Sequence, residues 1–221
     1  MADPQSSYPL DLSDMVDWIS SRTPRGGRVL EIGSGDGAIV DALADRGYAV
    51  VGVDPGAATN ANVVAQTFET FDAEPFDTVF ASLSLHHLHD IDAAAAALRR
   101  LTRSGSTVLV REFDRARLDE HEPTLRWWWH QRAARTLAEG GEPDAYEAFV
   151  EHWRHHMAEH VHPWAVVELM LRRAELESTT AGDGAFLFRW GLTEDVRPVE
   201  ERLIASGGLR PIGVRWAGIR R

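Results

Sequence analysis

Apolar and polar residues along this chain alternate between two periodicities. Leu12, Met15, Val16 and Ile19 recur at helical spacing, with Asp11 or Ser13 available as a cap, and Thr23-Pro24-Arg25-Gly26-Gly27 breaks that helix. Arg28–Ile32 then reads as a buried strand, Ala38–Arg46 as a helix ended by Gly47, and Tyr48–Val53 as a second strand. Strand, glycine turn, helix, strand is a βαβ unit, whose crossover makes its strands parallel. A third strand is weakly marked within Val63–Phe68. Phe76–Leu83 is a strongly apolar fourth strand, Asp90–Arg103 an alanine-rich helix, Ser104-Gly105 a turn and Thr107–Phe113 a fifth strand.

The rhythm changes at Arg115. Up to Glu177 the sequence is charged, helical in pattern and rich in Trp and His, and no strand is convincing there. Strands return at Ala185–Trp190 and Ile212–Trp216, separated by a helix near Val196–Ser206 and the loop Gly207–Pro211. The expected architecture is α/β: a sheet built from βαβ units that closes with two late strands, with a helical insertion ahead of them. One domain is expected over 1–221. It divides into an N-terminal helix and linker (1–27), a cofactor-binding core (28–114), a helical lid or insertion (115–180) and closing strands (181–221).

The first candidate chemistry lies in Val29–Gly37, VLEIGSGDG. A strand emptying into Gly33, Gly35 and Gly37 lets backbone approach a ligand closely, and nothing structural is expected to require all three glycines. A second strand ending in Asp54, about 20 residues on, places a carboxylate where nucleotide-binding α/β folds hold a ribose diol. Asp54 can equally cap a turn with Pro55-Gly56, and Asp36 can serve as a helix N-cap.

Bulk composition narrows the chemistry. The chain has 221 residues, a formal net charge of −11 and no cysteine. All 23 basic residues are arginine, so thiolate, Schiff-base and Walker-lysine chemistry are excluded. The acidic balance argues against binding to nucleic-acid backbone or anionic membrane. No run reaches the roughly 18 apolar residues of a membrane span, and a soluble cytoplasmic protein is expected, as monomer or homodimer.

The ordered set formed by the glycine turn, Asp54, the strand and loop FDTVFASLSLHHL, the helix Asp90–Arg103 and the strand LVREF resembles the class I S-adenosylmethionine-dependent methyltransferases over residues 28–113. The resemblance implies an α/β fold, a Rossmann-like seven-strand, mostly parallel sheet with helices on both faces and a helical insertion between strands 5 and 6, with S-adenosylmethionine as cofactor and a small organic acceptor. It further implies a cofactor site drawn from Glu31, Gly33, Ser34, Gly35, Gly37, Asp54, Pro55, Phe68, Glu69, Ser82 and Leu83. In it Glu31 meets the methionine end, Asp54 the ribose, and Phe68 or Glu69 the adenine, with Asp72 next. Gly33, Gly35 and Ala38 also satisfy the dinucleotide fingerprint G-x-G-x-x-A, which keeps a nicotinamide-dependent oxidoreductase open. Glu31 weighs against it, because a carboxylate beside the glycines repels a pyrophosphate and suits a cation. An RNA or protein methyltransferase and a non-catalytic S-adenosylmethionine-binding protein stay open as well.

On the acceptor side, His86 and His87 follow the fourth strand and Glu112 ends the fifth, with Asp114 next. A histidine is suited to take a proton near neutral pH, and Glu112 to orient an acceptor or accept its proton. Each also has a purely structural reading. His152, His155 and His156 share helical spacing but lack the H-E-x-x-H pattern, so a lid helix is expected there and no metal. Trp127–Trp129 cannot place all three rings on one helix face.

Overall fold

The computed structural model describes residues 9–57, 60–187 and 196–221. Seven strands form one sheet: β1 (Arg28–Ile32), β2 (Ala49–Val53), β3 (Val63–Val64), β4 (Phe76–Ser82), β5 (Thr102–Phe113), β6 (Leu176–Gly184) and β7 (Gly213–Arg220). Their order is β3-β2-β1-β4-β5-β7-β6. Strands β1 to β5 pair in parallel. Strand β7 runs the other way, and β6, antiparallel to β7, runs with the first five. Asp114 N–H, just past β5, donates to Ile212 just before β7, and Arg221 N–H donates to Glu175 at the opposite end of β6. The sheet is therefore mixed, as expected.

The chain winds outward from β1 to β2 and β3, then returns to β4 on the other side of β1. Ligands in open α/β sheets bind at such a reversal, outside the carboxyl ends of the strands. Right-handed crossovers in opposite directions put α2 (Ala38–Asp45) and α3 (Ile91–Leu101) on opposite faces. On the α2 face, Met15, Val16 and Ile19 of α1 (Pro9–Ser20) pack with Leu43, Val29, Phe80 and Leu109. Asp90 caps α3, its Oδ1 accepting from the N–H groups of Asp92 and Ala93 at 2.9 Å each.

The chain forms two compact units. One comprises residues 1–112, 165–181 and 215–221, the other 113–164 and 182–214. The first holds most of the sheet with α1, α2, α3 and α7 (Trp164–Arg173). The second holds α4 (Arg115–Asp119), α5 (Glu122–Ala138), α6 (Tyr146–His160) and α8 (Val196–Ala205). Its interior is aromatic. Trp128 stands edge-on to Trp153 at 4.0 Å and to Phe149 at 5.1 Å, and Phe113 stacks on Phe186 at 5.2 Å.

Two expectations are corrected. The sixth strand runs over Leu176–Gly184, ahead of Ala185–Trp190, of which residues 188–190 lie outside the described residues. LESTTAGDG carries one large apolar residue because an edge strand can stay exposed, so hydrophobicity does not reveal it. Phe186 and Leu187 of the apolar run after it are buried, but their N–H groups donate to Glu200 Oε1 at 2.8 and 3.0 Å instead of to a strand. The Ser104-Gly105 turn, for its part, lies inside β5. Thr102 pairs with Phe76 and Thr107 with Thr78, so residues 103–106 bulge from the ladder, with Gly105 at φ +87°.

Candidate cofactor and active site

The glycine turn is built by three different constraints. Gly33 at φ +71° donates its N–H to Val53 O at 2.8 Å, and a Cβ there would lie 2.2 Å from Ser84 Cβ. Gly37 at φ +84° is closed off by the Asn60 side chain, 2.5 Å from a would-be Cβ. Asn60 in turn donates to Asp36 O at 3.2 Å and to Asp41 Oδ2 at 3.0 Å. Gly33 and Gly37 thus have structural reasons of their own. Gly35, at φ +53°, meets nothing within 4 Å. It is the glycine whose bare backbone faces open space.

Asp54 ties the turn to the end of β2. Its Oδ2 accepts from Gly35 N–H at 2.9 Å and its Oδ1 from Gly56 N–H at 2.7 Å. The turn-capping role is therefore present, and each carboxylate oxygen keeps a further lone pair for a donor. Pro55 is exposed within this turn. Asp36 Oδ1 accepts from Ala38 N–H at 3.1 Å at the start of α2.

Glu31 is 3% exposed, and its Oε2 has no hydrogen-bond partner. Burial holds this carboxyl well above the usual carboxylate range; the Arg111 cation opposes the shift, while Asp36 and Asp54 add to it. Beside it, Ser34 Oγ is also buried and without a partner. Register pairs Glu31 with Phe80 and Ser82 with Arg111. Side chains alternate along strands, so Glu31, Ser82 and Arg111 stand on one face of the sheet. Arg111 Nε–H donates to Ser82 Oγ at 2.9 Å.

Beyond Ser82 the chain leaves β4 through Leu83, a non-glycine residue at φ +54° whose N–H donates to Arg111 O at 2.8 Å. Such a backbone costs of order 1 kcal/mol and persists where its surroundings impose it. Ser84 Oγ then donates to Ile32 O at 2.8 Å and pins the turn against β1.

Glu112 points to the opposite sheet face from Arg111 and is 1% exposed. Its Oε1 accepts from Leu85 and His86 N–H at 2.9 and 3.3 Å, and its Oε2 lies 2.6 Å from His86 Nδ1. A carboxylate receiving those donors places the histidine proton on Nδ1. His86 is buried, whereas His87 is exposed, its ring centroid 4.1 Å from that of His86. The two adjacent histidines face different surroundings.

The remaining sequence-predicted residues divide. Phe68 is buried, Glu69 O accepts from Arg100 Nη2 at 3.1 Å, and Asp72 is exposed with Arg100 3.5 Å away. Asp114 caps α4 through Ala116 N–H at 3.1 Å. Trp128 is a core residue of the helical unit, and Trp129 donates Nε1–H to Asp144 O at 2.9 Å. The rings of His152 and His156 stack at 6.5 Å, and among the described residues no group of His, Asp and Glu is arranged to hold a metal ion. A hollow of about 530 Å³ between α5 and α6, lined by Glu122, Tyr146 and Glu151 among others, gathers none of the predicted site residues. Sequence reasoning missed Asn60 and Arg111. Only Arg111 had a sequence signal, as the one basic residue within the apolar strand TVLVREF.

Comparison with known proteins identifies the class. The methyltransferase-domain family profile matches residues 5–141, more than half of the chain, and the chain belongs to that family. Its fold is that of the class I S-adenosylmethionine-dependent methyltransferases. A ubiquinone biosynthesis O-methyltransferase of Pseudomonas aeruginosa is 32% identical over 45% of this chain and 50% of the relative. The chain thus matches about half the length of such curated relatives. Among solved structures, geranyl diphosphate methyltransferase in complex with GPP and sinefungin is 14% identical. It covers 95% of this chain and 78% of that one, with a TM-score of 0.59. The 1,6-didemethyltoxoflavin-N1-methyltransferase of Burkholderia thailandensis, with 1,6-didemethyltoxoflavin and S-adenosylhomocysteine bound, is also 14% identical. It covers 95% and 76%, with a TM-score of 0.53. Among the described residues no helix is long and apolar enough to cross a membrane.

Proposed function

We propose that this S-adenosylmethionine-dependent methyltransferase acts on a small organic acceptor. The observation that carries the cofactor side is Glu31: a buried carboxylate oxygen without a partner, beside a glycine with open space in front of it, suits a bound cation. S-adenosylmethionine presents an ammonium and a sulfonium, and when bound it supplies an electrophilic methyl group. The chain's own task is then to orient and to exclude water. In this reading Glu31 takes the ammonium, Gly35 and Ser34 line the methionine and ribose path, and Asp54 accepts from the ribose hydroxyls. Phe68 and Glu69 serve the adenine, and the strained turn at Ser82-Leu83 offers carbonyl oxygen to the methionine end. A nicotinamide dinucleotide would bring its pyrophosphate to the same acidic turn, and repulsion disfavours it.

Glu112 acts as a positioning residue that locks the loop after β4 and the His86 ring. His87, the exposed member of the pair, is the residue placed to accept a proton from the acceptor. Support for a small acceptor comes from the relatives, whose names point to ubiquinone biosynthesis, geranyl diphosphate and 1,6-didemethyltoxoflavin. The net charge of −11 disfavours RNA. An acidic chain without cysteine suits a cytoplasmic enzyme.

Calorimetry with S-adenosylhomocysteine and with NAD tests the cofactor assignment. Binding of the first and not the second is expected, and absence of S-adenosylhomocysteine binding at millimolar concentration overturns it. Asp54→Ala should weaken that binding by about 1–3 kcal/mol, and an unchanged affinity removes the ribose contact. Full turnover in His87→Ala would remove its proton-accepting role.

A further inference from the structure

A hollow of about 260 Å³ opens at the amino end of β4, away from the glycine turn. Arg22 and Pro24 from the segment after α1, Asp77 from β4, and the β5 bulge from Arg103 to Thr107 form its wall. Two guanidiniums and one carboxylate leave it a surplus of one positive charge. Both oxygens of that carboxylate are engaged: Asp77 Oδ1 accepts from Arg103 Nη2, and Oδ2 accepts from Arg28 N–H at 2.9 Å. Arg22 has no such partner. Among the described residues no carboxylate lies within 4 Å of its guanidinium, whereas Arg46 meets Asp17 at 2.6 Å and Arg100 meets Asp72 at 3.5 Å. Neighbours that leave its charge intact hold it instead. Its Nη1 donates to Ser21 Oγ at 3.1 Å, and its Cζ stands 5.5 Å from the centroid of the Trp18 ring. On the same wall, the hydroxyls of Ser104 and Thr107 make no hydrogen bond among the described residues. The bulge that carries them is anchored, with Arg103 N–H donating to Ser106 Oγ at 3.0 Å and Ser106 Oγ donating to Phe76 O at 2.6 Å.

We propose that this hollow binds the phosphate group of a small molecule, held by the Arg22 and Arg103 guanidiniums and the Ser104 and Thr107 hydroxyls. Donors that reach in from two separate chain segments suit an oxyanion with acceptor oxygens on several sides, as a phosphate monoester has. A carboxylate presents two oxygens in one plane and meets fewer of them. The monoester carries a charge of about −1.5 to −2 at pH 7, which draws on both guanidiniums. At about 30 Å³ for each water displaced, the hollow has room for the phosphate and part of the group that bears it. The site is separate from the cofactor region. From Asp77 in this hollow to Ser82 at the carboxyl end, β4 runs about 16 Å. The bound molecule is therefore a ligand distinct from both the methyl donor and the methyl acceptor.

The experiment is calorimetry with methyl phosphate at constant ionic strength, with acetate as the planar control. A dissociation constant of about 1 mM is expected for so small a ligand, with acetate at least about tenfold weaker. Arg22→Gln, at an exposed position, should weaken methyl phosphate about tenfold and leave S-adenosylhomocysteine affinity within about twofold. Ser104→Ala keeps every charge and should weaken methyl phosphate about threefold, which separates a hydroxyl contact from a change in net charge. In amide NMR spectra, methyl phosphate should shift the signals of Ser104 and Gly105 and leave those of Gly33, Gly35 and Gly37 in place. Unchanged methyl phosphate affinity in both variants, equal binding of acetate, competition with S-adenosylhomocysteine, or shifts confined to the glycine turn overturns the proposal. Binding that does not saturate below about 50 mM is a general ionic effect and overturns it as well.

Discussion

Between Arg28 and Glu112 the molecule is organised by its backbone; between Phe113 and Trp164 it is organised by the bulk of its side chains. In the first region, positions are set by what cannot be larger than hydrogen: Gly33 against Ser84 and Gly37 against Asn60. Strand register adds Glu31, Ser82 and Arg111 to one face. In the second, helices gather around Trp128, Phe149 and Trp153. A site made of backbone depends on steric exclusion and survives only substitutions that respect it. A core made of aromatic rings tolerates changes of shape better than loss of volume.

Four substitutions break or sharpen that contrast. The largest effect is expected for Trp128→Ala, which removes a fully buried ring at the centre of the helical unit and should cost about 3–5 kcal/mol in denaturant unfolding. Below its melting temperature the variant should keep S-adenosylhomocysteine affinity within a few-fold, and a complete loss would show that the cofactor region depends on the aromatic core. Gly33→Val should cost about 3 kcal/mol or more, through collision with Ser84 and the left-handed backbone. Unlike Trp128→Ala, it should remove cofactor binding together with stability.

Glu31→Gln acts in the opposite direction. Because the folded-state pKa of Glu31 is raised above its unfolded value, the ionised carboxyl opposes folding as pH rises from about 4.5 through the raised value. Below the unfolded value the residue is neutral in both states and the effect vanishes. The variant should therefore be more stable than wild type at pH 8 and equal to it near pH 4. It should also bind S-adenosylhomocysteine more weakly, and lose the rise in wild-type affinity expected as Glu31 ionises. Equal stability at pH 8, measured by urea titration, would contradict an uncompensated buried charge. The smallest change in stability is expected for Gly35→Ala, about 1 kcal/mol from its positive φ alone, because its Cβ meets nothing. Its cofactor affinity should nonetheless fall at least tenfold; unchanged binding would show that Gly35 does not face the ligand.

Sequence pattern revealed the elements between Arg28 and Leu101 well. β1 was legible to the residue because a buried parallel strand is a largely apolar run, and α3 was legible as an alanine-rich helix. The same pattern misplaced β6. Its edge position permits polar residues, and in the nearby apolar run the buried Phe186 and Leu187 donate their amides to Glu200 instead. The Ser104-Gly105 turn was recognised as a turn, but not as a bulge within β5, since only the partner strand shows that pairing resumes at Thr107.

Local chemistry written along the chain determined the parallel core, the glycine turn with Asp54 at the next strand end, and the candidate cofactor, because each of these rests on residues close in sequence or on a repeated strand-helix period. Tertiary structure decided what distance in sequence conceals. Ser84 explains Gly33 across 51 positions, Glu112 reaches back to His86 across 26, and Arg111 comes to the same face as Glu31 through a strand that separates them. Hydrophobic periodicity specifies which face of a strand is buried. Only the register of strands laid side by side specifies which charges meet there.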